Sequence, residues 1–363
     1  MEGNIINLLK KIIKKTLFFL PPEFFTKIKT LLSFSNSVTQ PEIVTQPQIV
    51  VLKPSDKVDL FLSLSTKCNY RCVFCNRDVK QQLINFEDIY EFDKLIEHAR
   101  MVDITGYGEI TIHPDFFQIL SSLSKAEIPV RFITNGSSLT KRHADLLVQS
   151  RIEEIVFSLN SLNPEMYRKI HRGASDLSKT MRNLQYLLSL NPKFPIRLSF
   201  VITNWNLHEI PDIINFAKKH KSDIASTSCM GLTPTLKHMY PDEIVIENSE
   251  ENRKYLESMR KMVTDNDVTV SIFNLENQST TDVPISQERL KNMIRSCDWV
   301  YNKYFIEPDG SVMPCCWWGS NHPLGNIKNN SFSEIWHGKL YEELRCEIQK
   351  GSTKYCSSCR REN

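Results

Sequence analysis

Cys68, Cys72 and Cys75 follow one another as C-x3-C-x2-C, with Phe74 between the last two. Thiolates this close suit a soft metal, and cysteine thiolates hold iron–sulfur clusters. Three protein ligands leave one iron of a cubane cluster without a ligand from the chain. An open metal position is where a substrate or cosubstrate binds, as at a catalytic zinc. The competing chemistry is zinc itself, which needs a fourth ligand nearby. The nearest histidines, His98 and His113, do not stand in a paired spacing with the cysteines.

The spacing and Phe74 together resemble the signature of radical S-adenosylmethionine (SAM) enzymes. The resemblance implies that SAM chelates the open iron through its amino and carboxylate groups. It also implies that the reduced cluster splits SAM into methionine and a 5′-deoxyadenosyl radical. Further motifs follow in order. Gly106-Tyr107-Gly108-Glu109 resembles the family's Gly-Gly-Glu-Pro motif, with Tyr107 separating the glycines and Ile110 in place of the proline. Thr134-Asn135-Gly136 matches a frequent family triplet, although Asn-Gly is also a common turn. Ser158 and Asn160 stand where the family often has Ser-x-Asp-Gly against the SAM ribose; Asn160 keeps an acceptor but drops the charge. His171-Arg172-Gly173 resembles the Arg-Gly step whose guanidinium pairs with the SAM carboxylate, a task that suits its fork. The resemblance thus implies SAM-binding roles for Phe74, Gly106, Gly108, Glu109, Asn135, Ser158, Asn160 and Arg172.

A second cysteine set lies downstream: Cys297, Cys315, Cys316, Cys346 and the pair Cys356 and Cys359. Cys297 to Cys315 reads C-x12-G-x4-C, and Cys356 to Cys359 reads C-x2-C. A four-cysteine zinc ribbon is the competing chemistry. The run resembles the SPASM/twitch extension of radical SAM proteins, which implies one auxiliary 4Fe-4S cluster held by Cys297, Cys315, Cys356 and Cys359. Cys316 is the alternative to Cys315, and Cys346, in a predicted helix, is expected in the core.

These motifs need a scaffold that brings distant loops together. From residue 57 the pattern is strand, loop, helix, repeated. Candidate strands are 58–66, 101–105, 130–134, 154–159, 196–202 and 223–229, with helical stretches at 86–99, 140–150, 178–190 and 208–220. Six such units argue for a parallel α/β sheet, either an open barrel or a doubly wound one. The family resemblance implies a six-unit (β/α) partial TIM barrel, with the chemistry at the C-terminal strand ends. A helix at 249–264 and a strand at 267–273 follow. Pro308-Asp309-Gly310 marks a hairpin.

The expected organisation is a basic amphipathic segment (1–35), a linker (36–56), the barrel (57–230), a pocket-covering stretch (231–296) and the cluster domain (297–363). The linker carries a tandem repeat, Thr39–Val44 and Thr45–Val50. A net charge of +3 gives no case for a nucleic-acid partner. Clustered cysteines point to metal ligands in a reducing cytoplasm rather than to a disulfide framework. Residues 1–57 have neither the length nor the strands of a leader-binding winged helix, which favours a sugar-like or aminocyclitol substrate over a peptide. A second, fully ligated cluster would accept an electron and make the net reaction a dehydrogenation. The alternatives are a peptide maturase, an epimerase with Cys229 as hydrogen donor, and a non-catalytic iron–sulfur or zinc protein. An electron donor such as flavodoxin or ferredoxin is implied.

In residues 1–35, Lys10, Lys11, Lys14, Lys15, Lys27 and Lys29 outnumber Glu2 and Glu23, and they interrupt the apolar run well short of the ~20 residues a span needs. The segment suits an anionic membrane surface, or else packs on the protein's own body. In liposome flotation the full chain is expected to float better than a chain beginning near Val51, by a margin that shrinks with salt. Equal flotation would favour the packed helix.

Overall fold

The computed structural model describes residues 53–75, 80–89, 91–220, 223–228, 242–247, 249–261, 270–271, 287–315, 322–352, 354 and 356. The amphipathic segment, most of the linker, Cys229, Cys316 and Cys359 lie outside the described residues.

The strands are β1 Val58–Leu62, β2 Ala99–Ile104, β3 Val130–Thr134, β4 Ile152–Ser158, β5 Ile196–Ile202, β6 Asp223–Ser228, β7 Val270–Ser271, β8 Lys303–Ile306, β9 Ser311–Met313 and β10 Gly325–Asn326. The helices are α1 Phe92–Glu97, α2 Phe116–Lys125, α3 Lys141–Gln149, α4 Pro164–His171, α5 Leu177–Ser189, α6 Ile210–His220, α7 Glu250–Lys261, α8 Gln287–Arg295, α9 Trp299–Asn302, α10 Phe332–Trp336 and α11 Lys339–Lys350. Among the described residues the strands form one sheet in the order β10-β9-β8-β1-β2-β3-β4-β5-β6-β7. From β1 to β6 every neighbouring pair is parallel and in sequence order, as expected of a (β/α) partial barrel.

Period and capping explain the elements. β5 alternates buried and half-buried residues along its whole length. In α2, Phe116, Ile119, Leu120 and Leu123 recur at i, i+3, i+4 and i+7 and are all buried. Ile210, Ile213, Ile214 and Ala217 repeat that spacing in α6. Asn163 caps α4 by accepting from the Glu165 and Met166 N–H groups, with Pro164 at the first helical position. Register partners Phe61, Asp103, Arg131 and Glu154 lie in one row across β1 to β4. Arg131 bridges Asp103 at 2.7 Å, and Arg197 of β5 reaches Glu154 at 2.8 Å. Burial pushes the Asp103 carboxyl up, and Arg131 pulls it back.

Several boundaries differ from expectation. The predicted strand 58–66 ends at Leu62. Beyond it the backbone turns to other partners, with Ile84 N–H donating to Leu64 O and Thr66 N–H to Gln82 O. The predicted helix 86–99 is a 3-10 turn at Phe86–Asp88 followed by α1, because Glu91 takes a left-handed φ of 48°. The hairpin at Pro308-Asp309-Gly310 joins β8 to β9 as expected. The sequence pattern did not reveal that β8 lies parallel beside β1, with Leu60 opposite Tyr304 and Leu62 opposite Ile306. Cys346 is exposed on α11 and not in the core; its neighbours Leu344, Arg345 and Ile348 take the buried face.

The loop after β2 is pressed onto the end of β1. A Cβ at Gly106 would lie 2.2 Å from Ser63 Oγ, at a φ of +146°. One at Gly108 would lie 2.2 Å from Ser65 O and 2.7 Å from Lys67 O, main-chain atoms that cannot swing away. Gly108→Ala is therefore expected to destabilise the fold by about 1–3 kcal/mol. Thermal unfolding checks this, and unchanged stability would refute the packing argument.

Candidate functional site: a cysteine-lined cavity at the strand ends

The loops after β1, β2, β3 and β4 enclose a cavity of about 180 Å³. A single water needs roughly 10–15 Å³ by the same measure, so the space suits a ligand rather than one solvent molecule. Cys68, Cys72, Phe74, Cys75, Gly106, Gly108, Glu109, Asn135, Ser158 and Asn160 all line it. Arg172 is exposed and is not among the lining residues. It ends α4 at a φ of +49°, with Gly173 following at +62°.

The cysteine loop is held by the end of α4. Arg71 N–H donates to His171 O at 2.8 Å and Val73 N–H to Ile170 O at 2.9 Å. In return Ala174 N–H donates to Asn69 O at 3.1 Å. Beneath the loop, the hydroxyls of Tyr70, Tyr167 and Thr180 form a buried triangle with sides of 3.0–3.3 Å. Burial pushes the Tyr167 phenol far up, so it stays protonated.

Donors surround the sulfurs. Cys68 Sγ accepts from Tyr70 N–H at 3.4 Å and from Asn135 Nδ2 at 3.9 Å. Cys72 Sγ lies 3.2 Å from His171 Nδ1. Burial lowers His171 to about 3. Among the described residues no three His, Cys, Asp or Glu side chains group closely enough to hold a single metal ion. Three thiols spread around one cavity, with nitrogen groups beside Cys68 and Cys72, instead fit a multi-iron cluster, whose ligands bind different irons.

Glu109 is buried, and the resemblance would aim it at SAM. Its Oε1 accepts from Thr111 N–H at 3.0 Å and from the Thr111 and Thr134 hydroxyls, both at 2.6 Å. Its Oε2 accepts from Asn135 N–H at 2.6 Å. Burial pushes its pKa up, and these hydrogen bonds pull it back. Through it the β2 loop holds the end of β3. Asn135 in turn donates to Asn69 Oδ1 at 3.0 Å, tying that strand end to the cysteine loop. Asn160 is committed likewise: its Oδ1 accepts from Val201 N–H at 2.7 Å, and its carbonyl accepts from Asn206 Nδ2 at 2.8 Å. The Thr203–Asn206 turn is thus a brace for the β4 end. Tyr107 and Ile133 are exposed apolar side chains at the cavity, 47% and 38% accessible.

Sequence reasoning missed the part played by His171. The signal was present: Tyr167, Ile170 and His171 lie at i, i+3 and i+4, the buried face of α4.

The second cysteine set is partly described. Cys297 and Cys356 pack against one small core built on Leu290, Ile294, Val300, Tyr301, Leu344 and Ile348. Cys315 follows β9 and is half-buried.

Comparisons with known proteins agree with this layout. Residues 62–217 match the family model of the radical SAM superfamily, and residues 297–360 match that of the SPASM iron–sulfur cluster-binding domain. The antilisterial bacteriocin subtilosin biosynthesis protein AlbA of Bacillus subtilis is 24% identical over 290 residues, covering 77% of this chain and 60% of that protein. A probable GTP 3′,8-cyclase of Methanococcus maripaludis is 23% identical over 217 residues, covering 56% of this chain and 72% of that protein. Streptococcus suis SuiB bound to S-adenosylmethionine superposes with a TM-score of 0.62 at 17% identity, over 94% of this chain and 78% of SuiB. SuiB has also been solved bound to its precursor peptide SuiA, with a TM-score of 0.60 at 18% identity, over 94% of this chain and 80% of SuiB.

Glu109 offers a direct test of the site's internal bracing. In Glu109→Gln the new amide nitrogen must face either Thr111 N–H or Asn135 N–H, and a backbone donor cannot rotate away. The substitution is expected to cost about 1–3 kcal/mol, read as a fall in denaturant midpoint. A neutral result would mean that the carboxyl does not carry these contacts.

Proposed function

This chain is a radical SAM enzyme with a C-terminal iron–sulfur cluster-binding domain, and we propose that it modifies a peptide. Its cofactors are SAM, the SAM-binding 4Fe-4S cluster and auxiliary iron–sulfur. One observation supports the peptide reading above the others. The likeness to AlbA, whose name ties it to bacteriocin biosynthesis, runs over 77% of the chain, whereas the likeness to the cyclase covers 56%. That weighs against the expectation of a sugar-like substrate, which rested on the look of residues 1–57.

On this reading Cys68, Cys72 and Cys75 would hold the first cluster, and Cys297, Cys315, Cys356 and Cys359 an auxiliary one. When bound there with SAM, that cluster would supply the radical chemistry that removes a hydrogen atom from the substrate. Leu64, Ile104, Ile110, Ile133 and Val201 present apolar surface to the cavity and keep water from the reacting centre. Tyr107 and Ile133 give an apolar side chain of the peptide something to rest on. On this reading the net reaction is an oxidation, in which the substrate would lose a hydrogen atom, an electron and a proton, and the auxiliary cluster, held by its cysteines, would be able to take that electron. The reading calls for an external one-electron donor of the flavodoxin or ferredoxin kind.

Anaerobically reconstituted protein, given SAM and dithionite, is expected to release 5′-deoxyadenosine. The triple variant Cys68→Ala, Cys72→Ala, Cys75→Ala is expected to keep auxiliary iron and lose that release; retained cleavage would end the assignment. Offered candidate precursor peptides, GTP and aminocyclitols side by side, the enzyme should couple cleavage to a peptide product two hydrogens lighter. Coupling to GTP or a sugar-like compound alone would sink the peptide reading. A peptide of unchanged mass carrying solvent deuterium would replace oxidation by epimerisation.

A further inference from the structure

A hydrogen-bond chain runs from β5 to the middle cysteine of the loop. Val201 N–H points at Asn160 Oδ1 at 2.7 Å, so the amide oxygen must occupy that position. Asn160 Nδ2 then faces His171 Nε2 at 3.5 Å. An amide nitrogen only donates, so Nε2 is the acceptor. A neutral imidazole whose Nε2 accepts carries its proton on Nδ1. Nδ1 lies 3.2 Å from Cys72 Sγ, and a cluster-bound thiolate only accepts. The ring is 1% exposed and packed among Tyr70, Tyr167 and Phe74, with centroids 5.2, 4.2 and 6.5 Å away. Its own carbonyl receives Arg71 N–H at 2.8 Å, so main chain and side chain fix one distance together.

We propose that His171 is a positioning residue whose Nδ1–H donates to Cys72 and raises the reduction potential of the SAM-binding cluster, with Asn160 selecting the tautomer. The inference rests on the reading that Cys72 ligates that cluster. Reduction adds negative charge that is shared with the sulfurs, so an N–H aimed at sulfur stabilises the reduced form more than the oxidised one. The buried, aromatic surroundings leave little solvent to screen the effect. Hydrogen bonds from outside the ligand set are a recognised lever on metal sites, and here the lever is anchored on β5, four strands along the sheet from β1.

The test uses the full chain, reconstituted anaerobically, and reads the cluster whose electron-spin signal responds to SAM. In protein labelled with nitrogen-15 histidine, pulsed measurements on the reduced cluster should show a weak histidine-nitrogen coupling and an exchangeable proton. In His171→Phe both should vanish, and one-electron reduction should become about tenfold less favourable, a midpoint roughly 59 mV lower. An iron-loaded wild-type loop with no histidine coupling overturns the inference, whether or not the Phe variant folds. So does an unchanged midpoint in a Phe variant that keeps its iron. A wild-type protein that binds no iron on this loop would take down the Cys72 assignment itself, and iron analysis separates that failure from the others.

Discussion

The cysteine loop depends on carbonyls that a helix cannot use. The last turn of any α-helix leaves C=O groups without intrahelical donors. At the end of α4 those of Ile170 and His171 receive Val73 and Arg71 N–H, so an irregular loop borrows the regularity of a helix. The Arg172–Gly173 turn, with both residues at positive φ, stops α4 at the place where this works. The backbone on either side of Cys72 is thereby held by an element that packs far more firmly than the loop could by itself.

Around that anchor the strand ends are tied sideways. Glu109 binds the β2 loop to the end of β3, Asn135 carries the tie to Asn69 in the cysteine loop, and Asn160 and Asn206 bind the β4 end to the turn after β5. Glu109, Asn135 and Asn160, which the family resemblance casts as SAM contacts, are also joints between loops. Polar groups here do two jobs at once, which is feasible because a buried carboxylate or amide offers more hydrogen-bonding positions than one ligand needs.

Much of this was legible in the residues. Cysteine spacing, the order of the strand-end motifs and the six strand–helix units required only period and punctuation, and the six strands stand close to where period placed them. What escaped was non-local. Nothing near Tyr304 says that it will lie opposite Leu60, because strand pairing across most of the chain leaves no local trace. Cys346 looked like core by type, but helical phase puts it on the outside. His171 was quoted only as the neighbour of Arg172, whereas the structure turns the histidine inward and the arginine out.

The pairing of β8 with β1 has a bearing on how the chain is made. The strand that leads into the cysteine loop is translated well before Lys303–Ile306, the residues that fill its second edge. Until then β1 offers a row of unsatisfied main-chain groups to any passing strand. Contacts of such sequence separation form slowly. A nascent chain halted before Lys303 would carry its cysteines on a half-finished sheet.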